Sequence, residues 1–276
     1  MLRTVRPPRV FITADGPRAH EEGETEKCER TRAVFDEIDW PCDVRRNEHA
    51  ENIGLQRASL EGISWFFSQV DSGIILEDDT VIHPDFLDFS AEMLERYRDV
   101  PEVRYVCSVN MADHRRFSSD SYFFASMGQL WGWASWRDRW ANIDPELSDW
   151  PNVRPRFVSP DATRFQRAIV RNFDAAHDNS RRSWVRVWNY SVVRDGGLVI
   201  IPETNMLRNI GFGPDATHTK SRRHTLARLR SKSLARPLRH PAEIKPNAKY
   251  DNELAWYRTH DFRRRVRDTL RNFKLI

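Results

Sequence analysis

Cysteine is scarce in this sequence. Cys28, Cys42 and Cys107 are an odd number with no Cys-x-x-Cys spacing, which argues against a disulfide framework or a zinc site and for reduced thiols in a cytosolic protein. No apolar run approaches the roughly 20 residues needed to span a bilayer. The opening Met1-Leu2-Arg3-Thr4-Val5-Arg6-Pro7-Pro8 has no apolar stretch behind its basic residues, so no secretion signal is expected there. Internal repeats and low-complexity tracts are absent too. At 276 residues, 39% hydrophobic and 30% charged, the chain can bury one good core and is not polar enough for wholesale disorder.

Carboxylates are missing from one long stretch. Between Ala216 and Ala242 there is no acidic residue, against Lys220, Arg222, Arg223, Arg228, Arg230, Lys232, Arg236 and Arg239. The net charge of +4 therefore belongs to this segment, and an anionic partner is expected there first. Diphosphate, an anionic glycan, or an anionic inner leaflet holding lipid-linked acceptors would each suit residues 220–239. Arg263-Arg264-Arg265, Arg267 and Arg271 continue the theme on an expected terminal helix. Residues 220–240 contain no Phe, Tyr or Trp on which bases could stack, so no nucleic acid is expected.

What is present begins with Gly73-Ile74-Ile75-Leu76-Glu77-Asp78-Asp79. The apolar half reads as a strand covered on both faces. The three carboxylates at its carboxyl end can collect a hard divalent cation, or they are a solvated acidic turn. Upstream, Arg9 to Thr13 is a short β-prone run closed by the turn residues Ala14-Asp15-Gly16-Pro17. Cys42 to Arg46 reads as another strand. Leu55, Ala58, Ile63, Phe66, Phe67 and Val70 mark a helix face. Pro84 opens a helix with Phe86, Phe89, Met93 and Tyr97 inward, and Tyr105 to Val109 is the next strand. Strand and helix alternate, which is the pattern of an α/β protein with a parallel sheet. Residues 195–213 look like a hairpin. The segment Trp131 to Trp140 holds four tryptophans, suited to core packing or to stacking against a sugar ring.

Four ordered segments carry a resemblance. Phe11 to Gly16, Gly73 to Asp79 continuing into His83-Pro84-Asp85-Phe86, Trp131-Gly132-Trp133, and Asn205 to Thr219 are similar to the GT-A glycosyltransferases. The likeness is to bacterial nucleotide-diphospho-sugar transferases of the family-2-like kind and, at a greater distance, to N-acetylglucosaminyltransferase I. It implies a Rossmann-like, mostly parallel sheet with flanking helices. It divides the chain into a nucleotide-sugar half (1–110), an acceptor half with a closing loop (111–219) and a basic extension (220–276). By position, Asp79 would ligate Mn²⁺ or Mg²⁺, helped by Asp78 and His218. Glu77 would face the donor sugar, and Asp15, Gly16 and Arg18 would lie against the nucleotide. Trp131, Trp133, Trp184 and Trp188 would wall the acceptor or sugar site. The implied activity is an inverting transfer of a hexosyl or N-acetylhexosaminyl group from a nucleotide diphosphate to a glycan or lipid-linked acceptor in surface polysaccharide assembly, at the cytoplasmic face of the membrane.

Two departures stand against this pattern. The relatives carry a further strand, an Asn-Arg-Pro turn and a helix ahead of the segment matching Phe11, so either the true start lies upstream of Met1 or the first βα unit is lacking here. A start upstream or a fragment is the expectation, because a lost strand would expose a sheet edge. They also tend to show Trp-Asp-x-x-Trp where this chain has Trp184-Val185-Arg186-Val187-Trp188, and valine cannot take a proton. Asp178, Glu203 or Asp215 would then be the general base. The alternative is a catalytically impaired protein that only binds sugar nucleotide or glycan.

Overall fold

The structure is a computed structural model and describes residues 2–212, 227 and 229–255. The first stretch holds α1 (Leu2–Val5), β1 (Arg9–Ala14), α2 (Glu24–Ala33), β2 (Asp43–Glu48) and α3 (Leu55–Gln69). Next come β3 (Ser72–Leu76), β4 (Thr80–Ile82), α4 (Asp85–Arg96), β5 (Val103–Cys107), β6 (Tyr122–Ala125) and β7 (Gly132–Trp136). The chain continues through α5 (Arg137–Trp140), α6 (Trp150–Val153), α7 (Arg164–His177), α8 (Trp184–Arg194), β8 (Leu198–Pro202) and β9 (Leu207–Asn209).

Apolar spacing explains the helices. In α4, Phe86, Phe89, Ser90 and Met93 recur at three- and four-residue steps and are buried. In α7, Phe165, Ile169, Phe173 and Ala176 do the same. The start of α7 is fixed by a capping box, in which Thr163 Oγ1 accepts from Gln166 N and Gln166 Oε1 accepts from Thr163 N.

A five-stranded sheet in the order β3-β7-β5-β8-β6 carries the core. α4 covers one face, where Phe89 and Tyr97 meet Tyr122 and Phe124 of β6. α8 covers the other, its Trp188 ring 5.8 Å from Trp133 of β7. Alternation along β6 turns Phe123 to that second face, against Tyr250 of a helical segment over residues 248–255.

The expected mostly parallel Rossmann-like sheet does not form. Within the five-stranded sheet β5 and β8 run parallel, whereas β3–β7, β5–β7 and β6–β8 are antiparallel. The parallel pair β1–β2 is a separate two-stranded sheet. The reason lies between β5 and β7, where β6 and β7 follow without a helix. Strands not joined by a crossover helix are free to return antiparallel, and β7 inserts between β3 and β5. The hairpin expected over 195–213 is also corrected: β8 lies inside the large sheet, and β9 pairs with β4 in a third, two-stranded sheet.

β3 was expected to be covered on both faces. It is instead an edge strand, half-buried at all five positions. The boundary drawn at residue 110 runs through the large sheet, which takes β3 and β5 from one side of it and β6, β7 and β8 from the other. The described part of the basic extension is built into the body. Leu234, Leu238, Tyr250 and Leu254 are core residues. Lys232 pairs with Asp113, and Arg236 with Glu92. Among the described residues no helix is long and apolar enough to cross a membrane.

Candidate active site

The acidic turn is held by backbone and hydroxyl bonds at both ends. Glu77 N donates to Trp131 O at 3.4 Å, and Thr80 Oγ1 closes the turn on Glu77 O at 2.6 Å. The β4–β9 pairing then places Thr80 opposite Asn209. Ile210 N donates to Asp79 O at 2.8 Å, and Gly211 N to Asn209 Oδ1 at 2.9 Å. A Cβ on Gly211 would stand 2.0 Å from Asp79 Oδ2, so only glycine fits with Asp79 where it is.

The three carboxylates differ in environment. Glu77 is half-buried, and burial pushes its carboxyl up to about 8, with Asp79 and Asp78 adding repulsion. Burial also raises Asp79, while a hydrogen bond from the Asn209 side chain opposes the rise and Asp78 reinforces it. Asp79 Oδ1 is buried and has no hydrogen-bond partner among the described residues, a costly condition for an oxygen that water cannot reach. Asp78 is exposed. Among the described residues, no group of three or more His, Cys, Asp and Glu side chains is arranged to hold a metal by itself.

Glu77, Asp78 and Asp79 line a cleft of about 3630 Å³ that runs between β1 and the open edge of β3 and on past α7. Pockets for a single small ligand run to about 1,000 Å³, so this cleft exceeds one such ligand. Asp15 lines it as well. Its carboxylate is a loop pin, accepting from Gly16 N, Ile53 N, Gly54 N and Asn52 Nδ2 at 2.8–3.0 Å. Gly16 is packed so closely on Glu51 that a Cβ would meet its backbone at 2.3 Å. Arg18 faces the cleft but is paired with Glu24.

The tryptophans divide. Trp133 and Trp188 are 0% exposed and belong to the core, so neither can stack on a sugar. Trp131 is half-buried at the cleft wall, edge-on to Phe212 at 6.0 Å, and Trp184 reaches the cleft from the start of α8. The candidate bases divide too. Glu203 is not part of the cleft lining. It accepts from Phe117 N and Ser118 N, and burial raises its carboxyl against those bonds. Asp178, exposed at the end of α7, does line the cleft. Asp215 and His218 lie outside the described residues. The residues that sequence reasoning left without a role are Asn209 and Gly211. The run Asn209-Ile210-Gly211 shows a turn, but only the pairing of β9 with β4 reveals that it presses on Asp79. No family model matches this sequence, and no curated protein sequence matches it either.

Proposed function

We propose that the cleft transfers a sugar from a nucleotide diphosphate to a glycan or lipid-linked acceptor, with a divalent cation at Asp79. The observation that carries this reading is the buried Asp79 Oδ1, unpartnered beside two further carboxylates. Such an oxygen fits a hard cation such as Mg²⁺ or Mn²⁺, which take one or two carboxylates and leave other positions to water and substrate phosphates. Asp79 and Asp78 would hold the cation. Bound there, it supplies Lewis-acid stabilisation of the departing diphosphate.

The other roles follow from position. Glu77, protonated at neutral pH when no cation is bound, would donate a hydrogen bond to the donor sugar or diphosphate. Trp131 and Trp184 would bound the sugar, and Asp15 would keep the loop over residues 51–54 in place against the nucleotide. Asp178 is the described acidic candidate for taking the acceptor proton. Action at the cytoplasmic face, on an acceptor for surface polysaccharide, is part of the same proposal.

A second reading is binding without turnover. Val185 favours it, because it lines the cleft at a position where no proton can be accepted. One experiment separates the two. Mn²⁺ with UDP or GDP should raise the melting temperature, by an amount equivalent to about 2.7 kcal/mol at a hundredfold excess over Kd, and Asp79→Ala should abolish the rise. Absence of a Mn²⁺-dependent rise with either nucleotide, or its survival in Asp79→Ala, overturns the metal site. Turnover of a nucleotide-sugar panel decides for the transferase, and tight binding without turnover decides for the second reading.

A further inference from the structure

The stretch of the cleft lined by α7 is rich in arginine. The apolar stripe Phe165, Ile169, Phe173 and Ala176 fixes the rotation of α7 on the core. That leaves Arg164, Arg167 and Arg171 exposed at steps of three and four on the face toward the cleft, where Arg181 joins them. Some exposed arginines elsewhere are paired, Arg57 with Glu61, Arg98 with Glu95 and Arg115 with Glu253. Others such as Arg6, Arg30 and Arg208 stand singly, whereas on α7 they are grouped along one face that lines the cleft. The guanidinium groups of Arg164, Arg171 and Arg181 have no hydrogen-bond or ion-pair partner among the described residues. Among the described residues, Arg167 donates to Ala162 O alone. Asp174 is engaged by Arg154 and Trp150, and Glu146 by Arg182, while Asp178, exposed in the same cleft, stands 3.4 Å from His177 Nδ1.

This arrangement costs the free protein stability. Like charges at these steps repel along a helix, and the first turn of α7 has arginine but no acidic residue, against the sense of the helix dipole. A bound anion would reverse both penalties. Arg164 to Arg171 spans about 10 Å along the axis at 1.5 Å per residue, a spread that matches a group with several charges better than a single carboxylate.

We infer that the α7 arginines, with Arg181, hold a phosphate or diphosphate on the acceptor, in the same cleft as the donor-side carboxylates. This rests on the transferase reading and names its acceptor class. Guanidinium forks bind phosphate oxygens two at a time, which orients the acceptor as well as attracting it.

The test uses the whole chain in EDTA, so that no cation can hold phosphate at Asp79. Inorganic pyrophosphate is titrated calorimetrically into wild type, into the triple variant Arg164→Gln, Arg167→Gln, Arg171→Gln, and into Asp79→Asn. Wild type and Asp79→Asn should bind alike, and the arginine variant at least about tenfold more weakly. The mutated side chains are exposed, and a melting temperature no lower than that of wild type confirms that the variant is folded. Sedimentation with phosphatidylcholine vesicles, with and without phosphatidic acid, tells the sources apart. Arginine-dependent pelleting with phosphatidic acid supports a lipid headgroup, and its absence alongside pyrophosphate binding supports a soluble phosphorylated acceptor. No pyrophosphate binding by wild type, or affinity in the arginine variant within about twofold of wild type, overturns the inference. Loss of the Mn²⁺–nucleotide effect with pyrophosphate binding intact would overturn the transferase reading and leave the anion site standing.

Discussion

β3 and β8 are near twins in composition and opposites in situation. Ser72-Gly73-Ile74-Ile75-Leu76 and Leu198-Val199-Ile200-Ile201-Pro202 both centre on paired isoleucines. β8 lies between β5 and β6 and is buried at every position, whereas β3 has β7 on one side, is half-buried throughout and faces the cleft with its other edge. Apolar content thus says that a strand wants cover and not whether neighbours supply it. The uncovered strand is the one that carries the carboxylates. An interior position for β3 would have closed the cleft that Glu77, Asp78 and Asp79 open into.

The sharpest way to break this contrast is truncation. Ile200→Ala should cost about 2–5 kcal/mol in urea unfolding, and Ile75→Ala clearly less, because Ile75 is half-buried on an edge strand whereas Ile200 is fully buried. Equal losses would mean that β3 is covered in solution. The next test compares two raised carboxyls. Glu77 sits in the open cleft at about 8, with like charges beside it. Asp251 sits at the packed end of the sheet at about 6, raised by burial and eased by Ser126 N and Oγ.

For both groups the folded-state pKa exceeds the unfolded one. Their stabilising contribution is full below the unfolded value and is lost as pH rises through the folded one. Without cation, the wild type should therefore lose stability from pH 4.5 through about 8 on account of Glu77. Glu77→Gln should remove that loss and be the more stable protein above it, by up to about 5 kcal/mol. Asp251→Asn should flatten the smaller decline between pH 3.8 and about 6, worth up to about 3 kcal/mol. Melting temperatures across pH check both, and an unaltered pH profile in either variant would refute the corresponding environment.

Local elements were legible because their signals are local. The spacing of Phe86, Phe89 and Met93 shows α4 directly, and Gly73 to Leu76 shows a strand. Pairing was not legible, since β3 meets β7 across some sixty residues of chain, and nothing in Gly132-Trp133-Ala134-Ser135-Trp136 states which edge it will join. The tryptophan cluster was half-read for a related reason: alternation and helix rotation decide which indoles go inward, and Trp133 and Trp188 went to the core while Trp131 stayed at the cleft. In the site, the acidic run was visible as a candidate. Its counterpart at Asn209 and Gly211 needed the β4–β9 register, and the arginines of α7 gained meaning only once the helix was docked.

Gly211 carries one consequence into evolutionary terms. With no room for a Cβ beside Asp79, position 211 cannot gain a side chain while Asp79 keeps its place. A side chain at 211 is admissible only after residue 79 has shrunk or swung out of this position. Lineages that keep the acid here must keep the glycine, and lineages that abandon the chemistry are free to lose it.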